Sequence, residues 1–218
     1  MEHDFWHTRW ENQQIGFHLQ EVNPLLGAHF QALKLKPGKR VFIPLCGKTL
    51  DIHWLLLQGI HVAGAELNQL AVDALFAELG LIPTITQAGP LQRYHAVNQH
   101  GVNIDIFQGD FFALDSTLLG QTDAIYDRAA LIALPLDLRV TYSKHLMNIT
   151  NSAPQLLISF HYDQSLAAGP PFNVSTEEIA AHYGEVYSIA LLADDLLPTG
   201  LKGQYPAQEK IWLLTQPS

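Results

Sequence analysis

Residues 39–68 read KRVFIPLCGKTLDIHWLLLQGIHVAGAELN, and the assignment of this stretch decides the fold. Arg40 to Leu45 is a short apolar run of strand character, about 49 to 58 reads as a helix, and His61 to Ala65 is a second apolar strand. Gly47-Lys48-Thr49 stands where a phosphate-binding loop places its Gly-Lys-Thr. That loop also needs a glycine at position 42, so that backbone N–H groups fold around phosphates, and the residue there is Phe42. Pro44 has no N–H to donate and holds the chain rigid. Both residues argue against a triphosphate site. Cys46 near a helix start would need a base and an orienter to act as a nucleophile, and it reads instead as a small buried residue.

What remains is a strand, a turn with a single glycine, a helix, a second strand and an acid at its tip. Glu66 lies 19 residues after Gly47, close to the ~20 expected of a carboxylate that binds ribose hydroxyls. A dinucleotide fingerprint uses three glycines to let the backbone approach a pyrophosphate. With Gly47 alone at the turn, a nucleoside cofactor without phosphates fits better, and S-adenosylmethionine is the one implied.

Around this unit the chain continues to alternate. A helix is expected at 69–79 ending at Gly80, a hairpin of strands at 92–97 and 102–108, strands at 123–127 and 155–161, and a helix near 137–149. A helix at 175–183 follows, with Ser175 and Glu178 as a capping box, then strands near 185–192 and 209–215 that pair antiparallel. Upstream, 4–35 reads as helical with Asp4 as a cap, Trp6, Trp10, Ile15, Leu19, Val22, Leu25 and Leu26 forming one apolar stripe, and Pro24 dividing it. Alternating strands and helices with apolar strands call for a parallel sheet covered on both faces.

The chain has 218 residues, 48% of them hydrophobic and 15% charged, which suits one domain with a large core: a helical lid over 1–36 and an α/β core over 37–218. The net charge of −9 argues against a nucleic-acid partner and favours a small molecule. Cys46 is the only cysteine, so no disulfide framework or multi-cysteine metal site is possible. Without a signal sequence or an apolar run of about 20 residues, the expectation is a monomeric cytoplasmic protein with no membrane partner. His3 and His7 have the spacing of a helical ligand pair but no evident third ligand, so they read as surface residues.

Ligands of open parallel sheets bind beyond the carboxyl ends of the strands. Asp110 and Phe111 follow the strand at 102–108, placed to meet an adenine by hydrogen bond and stacking, and Asp127 with Arg128 would face the reacting end. For each alone, a strand-end carboxylate or surface ion pair is as good an account.

FWHTRWENQQIGFH, VFIPLCGKTLDIHWLLLQGIHVAGAEL, GDFFAL, IYDRAALIALP, YDQSLAAGPPF and EKIWLL, in this order over nearly the whole chain, resemble the bacterial thiopurine S-methyltransferases. The resemblance implies a class I S-adenosylmethionine-dependent methyltransferase, Rossmann-like, with a seven-stranded sheet whose last strand is antiparallel, helices on both faces and an N-terminal helical extension. It implies Trp10, Leu45, Glu66, Asp110, Phe111 and Arg128 at the cofactor, and Gly47 belongs to the same turn as Leu45. On the acceptor side Phe17, Phe172 by its ring and His161 by its place at a strand end are expected, although His161 and Tyr162 serve equally well to satisfy backbone groups. Relatives that methylate thiopurines carry a further arginine before the last strand, whereas 193–208 here has only Lys202, a point charge without a planar fork. In GPPF, Gly169 stands where amino-group methyltransferases have an acceptor side chain, and the motif follows a different strand. It reads as a rigid substrate-side loop.

A thiolate is already a strong nucleophile, so the site needs alignment and charge more than a strong base. Arg128 is expected to stabilise an anionic sulfur and Asp127 to shape the site. Selenium or tellurium oxyanions are the alternative acceptors. A non-catalytic S-adenosylmethionine-binding protein is the alternative of another class, and a dinucleotide oxidoreductase a more distant one.

Overall fold

The structure is a computed structural model that describes residues 3–217. Helices α1 (His3–Glu11) and α2 (Pro24–His29) precede β1 (Arg40–Ile43), which is followed by α3 (Leu50–Leu57), β2 (His61–Glu66) and α4 (Gln69–Leu79). Three strands come next, β3 (Thr84–Ala88), β4 (Leu91–Val97) and β5 (Asn103–Gln108), then α5 (Ser116–Leu119), β6 (Ala124–Arg128) and α6 (Leu136–Ile149). The chain ends with β7 (Gln155–His161), α7 (Thr176–Tyr183), β8 (Ser188–Leu196) and β9 (Gln208–Thr215).

All strands join one sheet in the order β3-β4-β5-β2-β1-β6-β7-β9-β8. β5, β2, β1, β6 and β7 run parallel, and β9 lies antiparallel between β7 and β8. The sheet therefore has nine strands where seven were expected. The additions are β4, which forms the expected hairpin with β5, and β3, which pairs antiparallel with β4 at the edge. β3 has four exposed residues out of five, so it lacks the apolar alternation that marks a strand in sequence. The Asn98 side chain closes the hairpin by accepting from the His100 and Val102 amides.

Both sheet faces are covered. Val41 and Ile43 of β1 pack in one apolar cluster with α2, α3 and α4, and Phe42 packs in the other with α6 and α7. This is why the buried strands read as continuous apolar runs. Helix ends follow local chemistry: Thr49, Asn68 and Ser175 each accept an N-terminal amide, and Gly80 ends α4 at φ +65°. The capping box at α7 is only half formed. Ser175 accepts from the Glu178 amide, but the Glu178 carboxylate turns instead to Arg139 and His182.

The N-terminal segment departs from a divided helix. α1 stops at Glu11, Gln13 has φ +53°, and 12–23 is turns, so Ile15, Leu19 and Val22 do not extend a helical stripe. Asp4 lies within the first turn. Trp6 and Trp10 both pack edge-on to Phe17 with ring centroids 5.7 Å apart, so the apolar residues of this segment bury one another by folding back. Pro24 is the first residue of α2, which Asn23 caps.

Candidate active site

β1 leads by way of α3 to β2 on one side, and β6 leads by way of α6 to β7 on the other. The carboxyl ends of β1 and β6 therefore flank the point where strand order reverses, the usual ligand crevice of such sheets. A cavity of about 600 Å³ opens there, closed from above by residues of α1 and the 12–23 segment. Leu45 and Ala129, non-glycine residues just beyond these adjacent strands, both lie in the left-handed region, at φ +46° and +65°. Such conformations cost about 1–2 kcal/mol each and persist only where surroundings enforce them.

The β1 turn is held by Glu66. This buried carboxylate accepts from the Gly47 amide at 2.7 Å and the Asn68 amide at 2.8 Å. Burial raises its pKa, and the backbone amides of Asn68, Gly47 and Leu67 oppose that rise. Gly47 sits at φ +54°, and a Cβ there would lie 3.4 Å from the Trp10 indole, so the turn lets α1 press close. Cys46 is buried against Gly64, and burial pushes its thiol pKa well up, as suits a packing residue.

The β6 turn is held by Asp127. Fully buried, it accepts from the Tyr142 hydroxyl at 2.7 Å and the Leu131 amide at 3.2 Å, which ties the chain around Ala129. Burial raises its pKa to about 6. Arg128, next in sequence, lines the cavity. Its guanidinium has no hydrogen-bonded protein partner among the described residues, although its charge holds down the pKa of Glu209, which burial raises. Asp51, also in the lining, accepts from the Asn23 amide at 2.8 Å and the Tyr126 hydroxyl at 3.0 Å, joining α2, α3 and β6.

Of the residues expected at the site, Trp10, Phe17, Leu45, Gly47, Glu66 and Arg128 line the cavity together. Asp110, Phe111, Asp127, His161 and Phe172 do not. Asp110 caps a short turn by accepting from the Phe112 amide, and Phe111 is buried between the rings of Phe42 and Tyr142. His161 is exposed at the end of β7, and side-chain alternation places Phe160 in the lining instead. Phe172 lies against Gly169 and under the Arg139 guanidinium, 5.6 Å from its ring centroid, leaving Pro170 and Pro171 at the cavity. The loop is tied down by Arg139 to the Asn173 carbonyl and Glu178, and by the Tyr162 hydroxyl to the Pro171 carbonyl.

Sequence reasoning missed Asp51, Tyr126, Phe160, His18 and Glu209 in the lining. Only Asp51 carried a signal, an acid in the otherwise apolar first turn of α3. Of the N-terminal histidines, His7 Nδ1 lies 3.0 Å from the Asn68 side-chain Nδ2 and His3 lies 3.9 Å from the Asp110 carboxylate.

The residues present fit S-adenosylmethionine. The buried Glu66 carboxylate keeps lone pairs for hydroxyls, the Gly47 turn has no side chain in the way, and Trp10, Phe17 and Leu45 supply apolar walls. No helix among the described residues is long and apolar enough to cross a membrane.

The family model for thiopurine S-methyltransferase matches residues 1–216. The chain is 53% identical over 215 residues to a thiopurine S-methyltransferase of Xanthobacter autotrophicus, covering 98% of this chain and 99% of that one. It is 47% identical over 216 residues to one of Acinetobacter baylyi, covering 99% of each. Among solved structures it resembles a methyltransferase of Anabaena variabilis, with a TM-score of 0.65 at 14% identity and 99% and 95% of the two chains covered. It resembles equally the 1,6-didemethyltoxoflavin-N1-methyltransferase of Burkholderia thailandensis with bound S-adenosylhomocysteine, with a TM-score of 0.65 at 14% identity and coverages of 98% and 87%.

Proposed function

The chain belongs to the thiopurine S-methyltransferase family and is an S-adenosylmethionine-dependent methyltransferase; from that premise we propose that it methylates the sulfur of small aromatic or heterocyclic thiols. The observation that carries this reading is the uncommitted Arg128 guanidinium in a cavity walled by Phe17, Phe160, Pro170 and Pro171. Aromatic and proline walls suit a flat acceptor, and a cation at their edge suits a thiolate or thione anion.

When bound, the cofactor supplies an electrophilic methyl group. Glu66 would receive its ribose hydroxyls, and the Leu45–Gly47 turn with Trp10 would enclose it. Asp127 acts by fixing the turn that presents Arg128, and so belongs to positioning more than to chemistry. The N-terminal segment serves as the cover, since Trp6, Arg9, Trp10, Phe17 and His18 all contribute to the lining.

Lys202 in the lining supports a second reading. Together with Arg128 it offers two cations to a small anion such as selenite or tellurite, which a planar heterocycle does not require. The experiment is an assay of S-adenosylhomocysteine release with thiopurines, aromatic thiols, selenite and tellurite, with product masses. Turnover of aromatic thiols supports the first reading, and turnover of the oxyanions alone overturns it in favour of the second.

A further inference from the structure

We propose that His18 is the base that takes the proton from a thiol acceptor arriving in its protonated form, an inference that rests on the thiol reading above. His18 lies on the covering segment, next to Phe17, and lines the cavity. Two lining carboxylates already hold protein donors, Glu66 two amides and Asp51 an amide and a phenol, while Glu209 on β9 feels the Arg128 charge, which lowers its pKa against burial. The His18 imidazole, by contrast, makes no side-chain hydrogen bond among the described residues.

The charged groups facing it come from four elements: Lys48 of the β1 turn, Asp51 of α3, Glu78 of α4 and Arg128 of β6. Burial, then Lys48 and Arg128, hold the imidazole below its ordinary 6.5, so it is neutral and able to accept a proton near pH 7. Asp51 and Glu78 favour the imidazolium once it forms. In the step, the S–H bond breaks and its electron pair stays on sulfur as a thiolate beside Arg128. The proton forms an N–H bond on His18 and passes to water after the product leaves.

The test compares wild type, His18→Gln and His18→Ala on two acceptors. 4-Nitrothiophenol is already ionised near neutrality, while phenylmethanethiol, like a cysteine thiol, ionises only at about pH 8.5 or above. Loss of the base should lower kcat/KM about 100-fold for phenylmethanethiol and less than about 3-fold for 4-nitrothiophenol. Added imidazole should restore His18→Ala on phenylmethanethiol. A readout independent of turnover is the thiolate absorbance of thiophenol bound alongside S-adenosylhomocysteine, which should appear at a pH about one unit lower in wild type than in His18→Gln. Equal losses on both acceptors, without imidazole rescue, overturn the role of His18 alone. If wild type binds S-adenosylmethionine by calorimetry but methylates neither thiol, the thiol reading falls and this inference with it.

Discussion

The Glu66 carboxylate accepts a hydrogen bond from the Gly47 amide at 2.7 Å, joining the tip of β2 to the turn after β1. Its second oxygen takes the Asn68 amide, so one buried side chain sets both the turn after β1 and the start of α4. Glutamine offers one acceptor oxygen for these two amides, and an unsatisfied buried amide costs about 1–3 kcal/mol. Glu66→Gln is expected to lower unfolding free energy by about that amount and to weaken S-adenosylmethionine binding about tenfold or more. Urea unfolding and calorimetry measure the two effects. Unchanged cofactor affinity would leave Glu66 with a role in the turn only.

Arg128 is expected to act on the acceptor more than on the fold, because its guanidinium has no hydrogen-bonded protein partner to lose among the described residues. Arg128→Ala should reduce kcat/KM for an anionic thiol about 100-fold, in line with loss of one strong charge contact. Arg128→Lys should recover part of this by charge alone, without the planar fork. Full turnover by the alanine variant would remove Arg128 from the reaction.

Arg139 is buried beneath the loop that brings Pro170 and Pro171 to the cavity, and it bonds the Leu134 and Asn173 carbonyls and Glu178. Arg139→Gln should raise the acceptor KM about fivefold or more and cost about 2 kcal/mol of stability. The Kd for S-adenosylmethionine, measured separately, should stay the same if, as proposed, this loop faces the acceptor. A matching loss of cofactor affinity would show that the loop serves both ligands.

Asp127 carries a pH dependence with a definite sign. Its pKa is raised from 3.8 to about 6, so between these values the folded protein holds a proton that the unfolded chain has released. Its contribution to stability is greatest below 3.8 and is lost as pH rises to about 6; the full loss is about 3 kcal/mol. Urea midpoints over this range should therefore fall more steeply with rising pH in wild type than in Asp127→Asn. Parallel profiles would mean that the buried carboxyl titrates normally.

Asp105 has the opposite sign. It accepts from Arg40 at 3.1 Å, Arg93 at 2.7 Å and His95 at 2.8 Å, tying β1, β4 and β5 together, and hydrogen bonds from Arg93 and His95 and the charges of Arg93 and Arg40 hold its pKa below 3.8 despite burial. The stability it adds is present above 3.8 and is lost as pH falls through the lower folded value. Asp105→Asn should cost about 2 kcal/mol near neutral pH. That difference should shrink toward zero in strong acid, as denaturant midpoints at both pH values would show.

Where the sequence was legible, the signal was local. Apolar runs in the parallel strands, caps at Thr49, Asn68 and Ser175, and Gly80 at a helix end each depend on residues a few positions apart. The strand–helix alternation of 39–68 and the spacing from Gly47 to Glu66 belong to the same class, because a βαβ unit of this length brings turn and strand tip together by itself. β3 was illegible because its faces are almost all exposed, and 12–23 because its apolar residues are buried by folding back on α1 instead of along a helix.

Local pattern along the chain was therefore enough for the doubly covered sheet, the single-glycine turn and the acid opposite it. Which strand-end residues face the cavity was set by long-range packing. Alternation along β7 puts Phe160 inside and His161 outside, the buried face of the sheet takes Phe111, and Asp127 goes beneath its turn while Arg128 goes above. Those outcomes, and the meeting of His18, Lys48, Asp51 and Arg128 from four separate elements, depend on contacts between residues far apart in the chain. Such contacts arise from packing, which leaves no periodic trace in any one segment.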